Sequence, residues 1–147
     1  MNIRLAVALC SVLLVSPTLA QNATRPKGDL FGNITSKQEA LSTARPASPQ
    51  IRMAIVEAAR NFLFDPYSIR DVQISPQVDL RVDGSYSIVC VRYNAKNRMG
   101  AYAGRTTTGI FIGDRGQILN STDRAPGCFW PEMPYGPFPE SDILKKL

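Results

Sequence analysis

The hydrophobic positions of this chain change rhythm four times. Leu5 to Val15 is a continuous apolar run. Residues 21–47 are polar, with no sustained period, and predict a flexible arm. At Ser48-Pro49 a helix start appears: an N-cap residue followed by proline at the first helical position. Ile51, Ala54, Ile55, Ala58, Ala59 and Phe62 then recur at three- and four-residue steps and form one stripe, with Glu57, Arg60 and Asn61 facing away. That helix is predicted to end by Phe64, because a residue before proline disfavours the helical region, and Asp65-Pro66-Tyr67-Ser68 predicts a turn.

After the turn the period becomes two. Val72 and Ile74 alternate with Asp71, Gln73 and Ser75, predicting a short strand; Val78, Leu80 and Val82 predict a second. Asp83-Gly84 between alternating runs is a hairpin signal. Tyr86 to Tyr93 is the longest strand, and Ile88-Val89-Cys90-Val91 is apolar on both faces, which places it centrally. Thr106 to Ile112 predicts a fourth strand and Gln117 to Asn120 a short edge strand. From Pro126 onward, prolines 126, 131, 134, 137 and 139 interleave with Phe129, Trp130, Tyr135 and Phe138. This segment is expected to be extended and to wrap over the open face of the sheet, with Trp130 as a plug and a last helical turn from Ser141.

One helix followed by hairpin-linked strands predicts an α+β fold: an amphipathic helix on a small antiparallel sheet of about four to five strands, with a proline-rich C-terminal coil. The expected organisation is a leader at 1–20, a linker at 21–47, the domain at 48–125 and the tail at 126–147. Arg4, the short apolar run and Thr18-Leu19-Ala20 before Gln21 have the layout of a secretory signal peptide. The run is far shorter than the ~20 residues needed to span a bilayer, so no transmembrane segment is expected after cleavage. The expected location is periplasmic or secreted.

The net charge is +5, and Arg4 would leave with the leader. The basic excess is local: between Ser87 and Arg115, Arg92, Lys96, Arg98, Arg105 and Arg115 are opposed by Asp114 alone. There is no histidine, which removes imidazole acid–base chemistry, His-containing triads and His-ligated metal together. Asp79, Asp83 and Gly84 do not have calcium-loop spacing, and no cofactor or metal is expected. With the leader removed, Cys90 and Cys128 remain. In an exported chain a disulfide between them is the expected state, the alternative being two buried thiols.

The stretches FLFDPYSIRDVQIS at 62–75 and VCVRYNAKNRMGAYAG at 89–104 resemble a family of small exported bacterial proteins. The matching residues are Asp65, Pro66, Ser68 and Arg70, then Cys90, Asn94, Ala95, Lys96, Asn97, Gly100, Tyr102 and Gly104. The resemblance implies an envelope protein and supplies no catalytic residue. Within the second stretch, Lys96, Arg98, Tyr102 and Arg105 are the candidate binding residues: guanidinium groups offer planar paired donors to phosphate or carboxylate, and a tyrosine among cations suits an anionic partner. The competing account makes 94–104 a purely structural turn of Asn and Gly. The expected partner is an envelope protein or an anionic envelope polymer, with nucleic acid not expected. Three roles follow: a non-enzymatic binding or structural module, a component of a larger envelope or secretion assembly, or a small periplasmic hydrolase or inhibitor-like module. For the last, Asp65 and Asp71 are the nearby acidic candidates.

Overall fold

A computed structural model describes residues 35–146; the expected leader at 1–20, residues 21–34 and Leu147 lie outside the described residues. The fold is α+β, with short helices on a six-stranded antiparallel sheet.

The first element departs from the expected arm. Lys37–Ser42 is a helix (α1). Ser36 Oγ accepts from Glu39 N at 3.3 Å while the Glu39 carboxylate accepts from Ser36 N at 2.8 Å, a reciprocal cap that satisfies two orphan donors. Tertiary contacts hold this segment against the sheet. Ala40 is fully buried, Arg45 and Gln77 exchange backbone hydrogen bonds, and Arg45 grips both oxygens of Asp79 at 2.8 and 2.9 Å. Helix α2, Pro49–Phe62, starts at the predicted cap: Ser48 Oγ accepts from Ile51 N. It buries Ile51, Ile55 and Val56 against the sheet.

The predicted turn at 65–68 is instead the start of β1, Asp65–Ile74. The turn-type hydrogen bonds exist, since Ser68 N donates to Asp65 Oδ1 and Ser68 Oγ to the Asp65 carbonyl. They sit inside a strand whose register slips twice, between Asp65 and Arg70 and between Arg70 and Gln73. Asp71, at φ 55°, lies in the second irregularity. Extra residues on one strand are what a bulge accommodates, so local turn chemistry and strand pairing coexist.

The other strands are β2 (Val78–Asp79), β3 (Tyr86–Lys96), β4 (Thr106–Gly113), β5 (Ile118–Thr122) and β6 (Gly136–Pro137). Their order is β5-β4-β3-β1-β6, with β2 also paired to β3. β3 is central, as its two-sided apolarity predicts. Val89 and Val91 enter the core under α2; Ile88 and Cys90 enter a second core on the opposite face.

The proline-rich tail closes both cores. A 3-10 turn at Pro126–Phe129 brings Cys128 to Cys90, and the two form a disulfide with Cα atoms 5.5 Å apart. Met133 is buried beside them, and Trp130 and Tyr135 are partly buried against this second core. Gly109 makes room for the tail: a Cβ there would lie 2.3 Å from Ala125 Cβ and 2.9 Å from Cys128 Sγ. The chain then pairs along β1 as β6 and turns onto the other face as a 3-10 segment, Pro139–Lys146. There Phe138 and Leu144 are buried in the α2 core, and Glu140 forms an ion pair with Arg52.

Candidate functional site

The basic loop of the sequence lies between β3 and β4, and it is internally braced. Asn97 N donates to the Ala101 carbonyl at 2.9 Å, and Gly100 N to the Asn97 carbonyl at 3.0 Å. The Asn97 side-chain oxygen accepts from Met99 N and Ala101 N, at 2.9 and 3.2 Å. Gly100 and Gly104 take φ of 75° and 94°, values that a side chain would strain.

Antiparallel pairing of β1 with β3 sets the start of β1 alongside this loop, because Asp65 pairs with Lys96. The two sequence stretches that carried the family resemblance therefore meet. Lys96 N donates to Ser68 Oγ at 2.9 Å. Tyr102, bridged to Lys96 through the backbone, sends its phenol to the Ser68 carbonyl at 3.1 Å. The Arg70 guanidinium stacks over the Tyr102 ring at 3.6 Å, and Lys96 Nζ approaches the same ring at 5.8 Å. Both are within cation–π range.

Of the four candidate binding residues, Lys96 and Tyr102 share this cluster. Arg98 and Arg105 are exposed on the loop and form no ion pair among the described residues. Arg70 and Ser68 are additional members. Their place depends on strand pairing, although both fall in the first resemblance motif. Arg70 has a carboxylate nearby, Asp71 Oδ2, at 3.8 Å. One face of the Arg70 cation is therefore committed to the ring while its edge keeps donors for an incoming anion.

A second stacked cation lies further along β3. Arg92 sits over the Tyr135 ring at 3.5 Å, and the Tyr135 phenol donates to the Cys128 carbonyl at 2.7 Å. Burial pushes the Tyr135 phenol above its ordinary pKa, with the Arg92 charge pulling the other way. Between Arg92 and Lys96 on the strand, Asn94 pairs across with Arg70, and its Oδ1 is buried without a hydrogen-bond partner among the described residues.

Chemically this is a surface that gathers cationic side chains, two of them stacked on tyrosine rings. The two acidic candidates are occupied: Asp65 Oδ1 accepts from Ser68 N, and Asp71 sits in the bulge beside Arg70. Elsewhere, an apolar crevice of about 80 Å³ lies between α2 and the sheet, lined by Val56, Ala59, Phe62, Ile69, Tyr93 and Leu144 among others. Among the described residues no helix is long and apolar enough to cross a membrane. Compared with known proteins, the chain matches no family model, no curated protein and no solved structure.

Proposed function

We propose that this chain is an exported bacterial cell-envelope protein that works by binding, with the basic region around 92–105 as its contact surface for an anionic envelope component. The leader pattern and the family resemblance support export, and the Cys90–Cys128 disulfide is compatible with an oxidising compartment. The observation that carries the binding role is the stacked arrangement of Arg70 and Lys96 on Tyr102, with Arg98 and Arg105 exposed beside it. Stacking holds one cation in place before any partner arrives, which lowers the ordering cost of association.

The test is retention on isolated envelope. Lys96→Ala combined with Arg98→Ala is expected to leave the melting temperature unchanged and to weaken retention, with the parent's retention falling as salt rises. Unchanged retention would remove this loop as the contact. Export is tested separately, by N-terminal sequencing of periplasmic material, which is expected to begin at Gln21.

A further inference from the structure

The end of the sheet that carries the basic loop also carries the most exposed apolar side chains. Met99, Phe62 and Phe64 are 87%, 65% and 65% exposed, the three highest values among the large apolar residues described, and Tyr67 is 56% exposed. Their clustering follows from topology. Phe62 ends α2, Phe64 and Tyr67 flank the start of β1, and Met99 is in the loop that follows β3; the Asp65–Lys96 pair joins these segments. Single exposed apolar residues are ordinary, whereas several at one pole mark a contact surface. None of the described residues covers them.

Lys96, Arg98, Arg105 and Arg70 lie on the same segments, with Asp65 and Asp71 as their acidic neighbours there. Aromatic, Met and Arg side chains also suit protein interfaces, but such interfaces are depleted of lysine, and Lys96 lies within this surface. A bilayer surface takes both at once: aromatic and thioether tips enter the headgroup boundary while long cationic side chains reach lipid phosphates.

Building on the binding role proposed above, we infer that this pole docks on an anionic phospholipid bilayer, with Phe64, Tyr67 and Met99 entering the interface and Lys96, Arg98 and Arg105 meeting phosphate. Phe62 flanks the contact and also lines the α2 crevice. Because the contact is made by side-chain tips and cations, the association is peripheral and salt-sensitive.

The experiment is vesicle flotation of the protein in the form in which cells accumulate it. Vesicles of phosphatidylethanolamine with phosphatidylglycerol are expected to bind it, and pure phosphatidylcholine vesicles to bind it far less. Phe64→Ser with Met99→Ser, at two exposed positions, is expected to lower vesicle partition about tenfold. The same variant is expected to leave retention on soluble polyphosphate unchanged. Lys96→Ala with Arg98→Ala lowers both, by roughly fivefold per cation on vesicles. In a separate measurement, the emission of Phe64→Trp is expected to be quenched by brominated phosphatidylglycerol beyond any quenching of the parent.

Absent vesicle binding, or a Phe64→Ser/Met99→Ser variant that partitions like its parent, overturns the bilayer assignment. If Lys96 and Arg98 still governed retention on whole envelope in that case, the partner would be a polymer or a protein and the binding role would stand. If they governed neither, both readings would fall.

Discussion

The phenol of Tyr102 donates to the carbonyl of Ser68 across 34 positions of sequence, beneath the stacked guanidinium of Arg70. One side chain thus joins the loop after β3 to the bulged start of β1. Tyr102→Phe keeps the ring under Arg70 and loses only the hydrogen bond, at a cost of about 0.5–1.5 kcal/mol. Tyr102→Ala loses both. Hydrogen exchange of residues 97–105 is expected to accelerate modestly in the first variant and strongly in the second, with the melting temperature falling by a few degrees in the first and further in the second.

The disulfide is expected to be the largest single contribution to stability. It links positions 38 apart, and closing a loop of that length restrains the unfolded chain by about 3–4 kcal/mol. Cys90→Ala with Cys128→Ala, or reduction of the parent, should lower the urea midpoint accordingly. A midpoint indifferent to reductant would contradict this.

Gly109 is a point where the tail packs directly on the sheet. Gly109→Ala would put a methyl 2.3 Å from Ala125 Cβ and 2.9 Å from both Cys128 Sγ and Ile88 Cδ1. Ile88 Cδ1 is a side-chain tip that can turn aside, but Ala125 Cβ is fixed to the backbone and Cys128 Sγ is held in the disulfide, so relief at those two must come from displacing the tail. The expected cost is about 1–3 kcal/mol, as for other overpacked cores. Thermal melting measures it, and faster reduction of the disulfide is expected to accompany it.

Tyr135 gives the fold an alkaline limit. Burial raises its folded-state pKa above the unfolded value of about 10. The stabilisation tied to the neutral phenol is therefore complete below the unfolded value and is lost as pH rises through the folded one. Urea midpoints for the parent should decline above roughly pH 10, and Tyr135→Phe should flatten that decline. The variant starts lower at pH 8, having lost the bond to the Cys128 carbonyl, and keeps its ring under Arg92.

Helix α2 and the strands β3 and β4 were legible because their side chains declare one period over many residues. β1 was partly hidden. Asp65 and Ser68 make the hydrogen bonds of a turn, and only pairing with β3 turns that local geometry into a bulge. Helix α1 carried a readable signature, Ser36 followed three residues later by Glu39, yet its six residues are too few for a periodic stripe. The two-residue β6 contains a proline and exists only because the edge of β1 is there to receive it. At the candidate site, Arg98, Tyr102 and Arg105 share the loop that follows Lys96 at the end of β3, and the four could be grouped from sequence. Arg70 and Ser68 join them through strand pairing, which no local pattern encodes.

The tail passes from one side of the sheet to the other, with Cys128 and Met133 in one core and Phe138 and Leu144 in the other. A ribosome delivers these residues after every strand from β1 to β5. The side that holds Cys128 and Met133 can therefore be completed only once residue 133 has been made, and the α2 side only once residue 144 has. Closure of both cores is thus a late event in synthesis, set by the last two dozen residues described.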